Sequence, residues 1–299
     1  MTTQSTAARR GYAGTAARAR RSALGASIAY WVRLLLLIAI TVIFSIPTIW
    51  LVLTSLKPEG EYGVSPIHIL PQNTQWVNYA TALVYFPFYK YFMNSVVLAT
   101  SFTVLTVLSS SLAGFAFSRF RGVPGRDALF SLVLATFMVP YLVTLVPQFM
   151  LFAYLNLTNT YWPWILWGIG ASPFHIFLFR QFFSSIPKDL EDAAEVDGCS
   201  KFRTWWQIFM PNSLPAAAAS TIFCFTWVWG DYLYPVLFLN DDITTLAVKM
   251  MTGYVDPNGN ILYTLQMAGV LLYILPMIVI FFLAQKYIIQ GVVTTGLKG

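Results

Sequence analysis

The chain has 299 residues, of which 57% are hydrophobic and only 10% are charged. This apolar fraction exceeds what a soluble domain of that length buries, so an ordinary soluble protein is excluded and lipid is the expected solvent. The formal net charge is +6, but the basic residues form no continuous stripe of the kind that binds nucleic acid, which excludes nucleic acid as a partner.

The first 27 residues are rich in Ala, Arg, Ser and Thr and show little hydrophobic periodicity. We expect residues 1–27 to form a disordered basic tail beside the anionic inner leaflet, ahead of a membrane domain over residues 28–299. The apolar run that follows has no small-residue cleavage pattern, which favours a retained first helix over a signal peptide.

Six segments are apolar over the roughly 20 residues that a helix needs to cross the hydrocarbon layer. They are residues 34–53, 92–117, 128–149, 161–182, 214–237 and 262–285. The sequence therefore predicts an all-α, polytopic membrane bundle of six transmembrane helices.

The basic residues indicate how these spans are oriented. Fifteen of the 18 Lys and Arg residues lie before span one, at or beyond the ends of spans two and four, or after span six. Only Lys57, Lys90 and Lys249 lie on the opposite side. Because cytoplasmic connections retain Lys and Arg, both termini are predicted to be cytoplasmic.

The polar connection over residues 184–215 is the most specific local feature of the chain. Pro187 suits a helix start, and small or apolar residues then recur with the spacing of one helix face, namely Leu190, Ala193, Ala194 and Asp197. We interpret this face as a docking element for another protein. The alternative is a solvated amphipathic connector that has no partner.

A turn and a second helix are predicted to follow. Gly198 stands where the chain needs positive φ after a helix, and Ser200 can cap the next one. The second helix, over residues 201–210, carries aromatic residues that we expect to pack against the membrane interface or the bundle, namely Phe202, Trp205, Trp206 and Phe209.

In this connection the sequence resembles the inner-membrane permeases of ATP-binding-cassette importers. The family pattern is E-A-A, three residues, then Gly preceded by Asp, with an Ile-x-Leu-Pro ending. Here Asp192-Ala193-Ala194, Asp197-Gly198 and Ile208-Phe209-Met210-Pro211 occupy those places, and only Asp192 and Met210 depart from the pattern. The resemblance implies that this loop docks into a cleft of an ATPase subunit and transmits its closure.

The resemblance covers the chain from about residue 30 onward and is strongest to carbohydrate importers of the maltose-permease type, second subunit. The matching stretches keep the order and spacing of that branch: Ser55–Pro58, Ala113–Arg119, Met138–Pro140, Trp229–Tyr232 and Gly291–Gly299. It implies a type I permease fold in a bacterial or archaeal cytoplasmic membrane. The implied partners are a second homologous permease, two ATPase subunits, an extracytoplasmic solute-binding protein and a sugar.

Catalytic and metal chemistry have little support in the sequence. No Gly-x-x-x-x-Gly-Lys-[Ser/Thr] occurs, so ATP and Mg are expected on the partner ATPases, and we expect this chain to be no enzyme and to hold no cofactor. The two histidines, His68 and His175, have no second metal ligand at helical spacing. Hydrogen bonding inside the bundle is the expected role of His175.

Asp231 is the one acid well inside a predicted span, and buried charges in membranes commonly mark function. With Trp229 and Tyr232 it is a candidate for the translocation pathway, because aromatic rings stack on sugars and a carboxylate accepts hydroxyl protons. The alternative is an inter-helix hydrogen bond near the outer interface.

Three rival functions are an importer for glycerol phosphate or a polyol, an ion-coupled secondary transporter, and a membrane enzyme. The last two lack the ionisable groups they would need.

Overall fold

The computed structural model describes residues 4–296 except 64, 67 and 121, and it describes side chains over residues 29–287. This part of the chain is mainly helical and has no strand beyond an isolated antiparallel bridge between Val255 and Ile261. The helices are α1 (Gln4–Ser55), α2 (Val77–Val84), α3 (Phe88–Arg119), α4 (Arg126–Phe137), α5 (Tyr141–Tyr154), α6 (Trp162–Ile169), α7 (Pro173–Ser184), α8 (Lys188–Val196), α9 (Lys201–Thr204), α10 (Met210–Asn212), α11 (Leu214–Trp229), α12 (Leu233–Phe238), α13 (Leu246–Thr252) and α14 (Tyr263–Gly296).

The first helix differs from the prediction of a disordered tail over residues 1–27. Helix α1 begins at Gln4 and continues without a break into the apolar segment. Alanine and arginine are strong helix formers, which accounts for helical backbone in this alanine- and arginine-rich stretch. Residues 1–3, the side chains of residues 4–28 and the last three residues of the C-terminal stretch lie outside the described residues.

Within the described residues, three helical segments are long and apolar enough to cross a membrane: Ala29–Ser55, Phe88–Arg119 and Tyr263–Tyr287. Two bent pairs pass the same test, Arg126–Phe137 with Tyr141–Tyr154 and Lys201–Asn212 with Leu214–Trp229. Counting each pair as one span gives five, so length and composition alone do not confirm the predicted six.

The predicted transmembrane spans are interrupted at positions whose local sequence or backbone explains the break. Pro140 stands at the 95° bend between α4 and α5, where the residue before a proline is pushed out of the helical region. The predicted fourth span is divided into α6 and α7 by residues 170–172, and Ala171 has a φ of 61° there. The predicted fifth span is interrupted too, because α11 ends at Trp229 and Gly230 follows it as the cap.

Helix α3 is the central helix of the bundle and packs against α6, α7 and α11. Small buried residues on α3, namely Ser95, Ser110, Ser111, Gly114 and Ser118, allow this close approach. At Gly114 an added Cβ would stand 2.7 Å from Phe179 Cβ and 2.9 Å from the Arg180 backbone nitrogen. The α3–α7 contact is therefore tight enough to require glycine.

Replacing Gly114 with alanine is expected to lower the stability of the purified protein by about 1–3 kcal/mol, because neither backbone nor Cβ atoms can give way easily. Thermal unfolding in detergent measures the effect. Gly122→Ala is the matched control, since an added Cβ there meets nothing within 4 Å. Equal melting temperatures for the two variants would contradict the close approach.

Candidate functional site

The polar connection over residues 184–215 folds as the helix, turn and helix that its sequence predicts. Helix α8 begins directly after Pro187 and carries Asp189 and Glu191 in its first turn. Negative side chains at that end complement the positive pole of the helix dipole. The segment therefore has a defined shape before any partner binds.

The turn after α8 confirms the predicted role of Gly198, which has a φ of 73°. The Cys199 N–H donates to the carbonyl of Ala194 at 2.9 Å, and the Gly198 N–H donates to that of Glu195 at 3.0 Å. This pair of bonds is a Schellman motif, which ends helices at a glycine. Ser200 Oγ then accepts from the Arg203 N–H at 3.3 Å and caps the second helix, as predicted.

Helix α8 turns one face outward and the other toward the bundle. Leu190 and Ala193 are exposed, and Val196 is 88% exposed, so an apolar strip remains without cover on this chain. Asp192, Asp197 and Gly198 are also exposed, and Asp192 pairs with Lys188 at 3.4 Å. Ala194 differs from the predicted face: it is buried, because it lies three residues from the inward-facing Glu191.

Glu191 is the residue of this loop whose role sequence reasoning missed. Its side chain is buried and meets Arg119 at 3.6 Å and Lys201 at 3.1 Å. Lys201 also pairs with Glu195. Arg119 lies at the end of α3, and its Nη2 donates to the carbonyls of Phe183 and Ile186. The Arg119–Glu191–Lys201 cluster thus ties α8 to the central helix and to the second helix of the loop.

The second helix packs against the bundle through an aromatic cluster. Trp205 and Phe209 are buried there with Phe115, Phe179 and Phe183. Between α9 and α10 the backbone of Trp205–Phe209 adopts π-helical geometry, which is often found at functional sites. Ile208 packs at the edge of this cluster, whereas Phe202, Trp206 and Pro211 are exposed. The bundle-packing prediction holds for Trp205 and Phe209.

Asp231 lines two neighbouring cavities of about 190 and 530 Å³, which we call the Asp231 cavities. Tyr232 lines the larger one. Tyr141, Trp227 and Tyr234 line both. Trp227 and Tyr234 are near Asp231 in the sequence, whereas Tyr141 comes from the start of α5 and no signal in the sequence marked it. One Asp231 carboxylate oxygen accepts from the Tyr234 N–H at 3.3 Å, a local contact rather than the inter-helix bond considered above.

Trp229 lies apart from the cavity surface. It is fully buried, stacks on Phe225 and Tyr273, and donates its indole N–H to the Tyr273 carbonyl at 3.0 Å. Asp231 lies two residues later, beyond the end of α11 at Trp229, and the two side chains do not share a surface. The structure brings Asp231 and Tyr232 together and leaves Trp229 in the core.

A third cavity, which we call the His175 cavity, has a volume of about 350 Å³. His175 Nε2 lies 3.2 Å from Cys224 Sγ, the kind of contact inside the bundle that the sequence predicts for this histidine. No group of three or more His, Cys, Asp or Glu side chains that could hold a metal occurs among the described residues.

Comparison with known sequences gives a family and close relatives. The family described as "Binding-protein-dependent transport system inner membrane component" matches residues 106–294, more than half of the chain. The arabinooligosaccharides transport system permease protein AraQ of Bacillus subtilis is 35% identical over 268 residues, covering 87% of this chain and 92% of the relative. The diacetylchitobiose uptake system permease protein NgcG of Streptomyces coelicolor is 31% identical, covering 87% and 86%. The lactose transport system permease protein LacG of Rhizobium radiobacter is 36% identical, covering 67% and 72%.

Solved structures agree on the fold. A chain of a bacterial ABC transporter that imports the acidic polysaccharide alginate superposes with a TM-score of 0.75 at 22% identity, covering 87% of this chain and 96% of that one. A second chain, from an alginate transporter in complex with a periplasmic protein bound to alginate pentasaccharide, gives a TM-score of 0.55 at 14% identity, covering 84% and 92%. The likeness establishes an ABC importer permease fold.

Proposed function

Because the chain belongs to the family of binding-protein-dependent transport system inner-membrane components, we propose that it is one of two permease subunits of an importer that carries a carbohydrate across the cytoplasmic membrane. Its partners are a second homologous permease, two ATPase subunits that bind ATP and Mg, and an extracytoplasmic solute-binding protein. The observation that carries the proposal is the outward apolar strip of α8, which is held rigidly at the end of the central helix.

The proposal counts six crossings, with both termini in the cytoplasm. Contacts at the cytoplasmic end support it, because Arg119 at the end of α3 bonds the Phe183 and Ile186 carbonyls at the end of α7. The chain between these ends therefore crosses an even number of times. If α4 and α5 form one crossing, α6 and α7 form the next.

Contacts at the opposite end support the same count. Lys90 at the start of α3 pairs with Asp242 at 3.1 Å. The Asn159 N–H, between α5 and α6, donates to the Phe238 carbonyl at 2.7 Å. Glu59, after α1, accepts from Thr264 Oγ1 at 2.6 Å, at the start of α14. The crossings are then α1, α3, α4 with α5, α6 with α7, α11, and α14.

In the proposed mechanism, closure of the ATPase dimer moves α8 and, through the Arg119–Glu191–Lys201 cluster, the end of α3. Asp192, Ala193, Asp197 and Gly198 present the docking surface, while Ala194 packs inward. Helix α3 contacts α6, α7 and α11, so this movement turns the bundle from inward-facing to outward-facing. Hydrolysis then resets it.

The sugar pathway is proposed to include the Asp231 cavities. Asp231 and Tyr232 present oxygen atoms there, beside the rings of Tyr141 and Trp227. Such an arrangement, largely apolar with a few polar groups, is typical of small-molecule sites. Trp229 does not line these cavities and packs in the core beside them, where its indole N–H donates to the Tyr273 carbonyl. The named substrates of the relatives, arabinooligosaccharides, diacetylchitobiose and lactose, make a carbohydrate the favoured cargo.

The test is uptake by the complete complex in proteoliposomes. The four membrane-associated subunits are supplied with ATP inside and with the binding protein outside, and are offered lactose, diacetylchitobiose, arabinotriose and glycerol phosphate in turn. We expect ATP-dependent uptake of at least one of the three sugars, abolished when the binding protein is omitted. Uptake of glycerol phosphate alone, or uptake that continues without ATP, would contradict the proposal.

A further inference from the structure

The second helix of the loop, Lys201–Asn212, lies across the direction of the helix that follows it. An 84° bend separates it from α11. Helices that cross a membrane are tilted by only about 20° on average from the bilayer normal. Because α11 is a proposed crossing, the helix before it lies close to the plane of the membrane, at the cytoplasmic surface.

This helix has one face on the bundle and another that nothing on this chain covers. Trp205 and Phe209 are buried in the aromatic cluster described above. Phe202 is 63% exposed and Trp206 is 53% exposed. A spacing of four residues places Phe202 and Trp206 on the same side of the helix, so together they form an exposed aromatic face.

Exposed apolar residues continue past the bend. Leu214 is the first residue of α11 and is 50% exposed, whereas Ser213 beside it is fully buried. On a helix that crosses the membrane, an exposed leucine faces lipid. The exposed aromatic face therefore adjoins the start of a lipid-facing surface.

The charges on this helix differ in how they are compensated. Lys201 is paired with Glu191 and Glu195. Arg203 is exposed and forms no ion pair among the described residues; its Nε donates to Gln207 Oε1 at 2.8 Å. Anionic lipids of the cytoplasmic leaflet attract such uncompensated basic side chains. Arg203 thus complements the charge of the surface beside which the helix lies.

We propose that the exposed aromatic face, Phe202 with Trp206, inserts into the boundary between headgroups and acyl chains of the cytoplasmic leaflet, where Arg203 contacts anionic lipid phosphates. Tryptophan favours this depth because its ring is apolar and its N–H is polar. Helices that combine an apolar face with basic residues bind membrane surfaces in this way. The lipid contact fixes the depth of the loop while α8 remains accessible to the ATPase.

The inference rests on the proposed function, because it requires α11 to cross the membrane. It is tested with a nitroxide spin label on Trp206→Cys and, as the matched control, on Val196→Cys, an exposed position on α8. Cys199→Ser removes the accessible native thiol, and Cys224 is buried. Each labelled chain is assembled with its permease partner in vesicles of phosphatidylethanolamine and phosphatidylglycerol.

The measurement is relaxation of the label by oxygen, which concentrates in lipid, and by a nickel chelate, which stays in water and is present on both sides of the bilayer. We expect the ratio of oxygen to nickel relaxation to be several-fold higher at position 206 than at position 196. Phe202→Cys should behave as Trp206→Cys does and replaces it if that variant fails to assemble. Equal ratios at the loop helix and at Val196→Cys would overturn the proposal.

Two further outcomes identify other causes. If the label on Trp206→Cys is protected from nickel only after the ATPase subunits are added, the aromatic face binds protein and the lipid proposal is wrong. Val279→Cys reports the bilayer itself, because Val279 is 54% exposed on the apolar part of α14. Nickel access at Val279→Cys would contradict the crossings of the proposed function. Oxygen access there with nickel access at Trp206→Cys overturns the inference alone.

Discussion

Replacing Glu191 with glutamine is expected to lower the stability of the permease by about 1–3 kcal/mol, the value of a hydrogen bond to a charged group, and to reduce sugar uptake per ATP hydrolysed. The substitution keeps the shape of the side chain but removes the charge that Arg119 and Lys201 share. Arg119 then faces an amide in a place where it and Glu191 are less than one-tenth exposed, whereas Lys201 is 44% exposed and keeps its pair with Glu195. Breaking a buried ion pair on one side is costly because the remaining charge stays out of water.

The effect on coupling follows from where the cluster lies. Arg119 ends the helix that contacts α6, α7 and α11, and Glu191 lies on the helix proposed to dock the ATPase. Weakening their contact lets α8 move without moving α3. ATPase activity is therefore expected to continue while uptake falls, and both rates are measured in the same proteoliposomes.

Asp127→Asn is the matched control for Glu191→Gln. It makes the same chemical change in the Arg126–Asp127 pair, in which Asp127 is 76% exposed. Exposed pairs contribute about 0–1 kcal/mol, so melting temperature and coupling should stay near those of the unmodified complex. If the Glu191→Gln complex keeps the wild-type uptake per ATP hydrolysed and the wild-type melting temperature, the Arg119–Glu191–Lys201 cluster does not link α8 to α3.

The local features of the loop could be predicted because they depend on neighbouring residues. The positive φ of Gly198, the Ser200 cap and the start of α8 after Pro187 each follow from backbone rules that act within a few positions. The ion pair between Arg119 and Glu191 could not, because 72 residues separate the partners and only tertiary packing brings them together.

The interior of the bundle was harder to predict for a related reason. Hydropathy reports that a segment is apolar, but lipid-facing and protein-facing residues have the same apolar character. Trp229 and Asp231 are two positions apart, yet the first is buried in the core and the second lines a cavity. The 95° bend at Pro140 and the break at Ala171 also leave the composition unchanged while dividing the predicted spans.

Replacing Ala193 with tryptophan is expected to weaken binding of the ATPase subunits roughly five- to a hundredfold, the consequence of about 1–3 kcal/mol of overpacking in a fitted cleft. Ala193 is exposed on this chain, so the added ring meets no neighbour in the permease itself. The melting temperature of the isolated permease should therefore change little. Binding of the purified ATPase to the permease pair in nanodiscs measures the loss.

Val123→Trp is the control, because Val123 is 53% exposed in the connection between α3 and α4 and lies outside the proposed docking surface. It adds the same ring and should leave ATPase affinity unchanged. The comparison separates a docking helix from a solvated connector, since a connector without a partner would accept both rings equally. If Ala193→Trp binds the ATPase as tightly as Val123→Trp does, the apolar strip of α8 is not the surface through which ATP hydrolysis reaches the bundle.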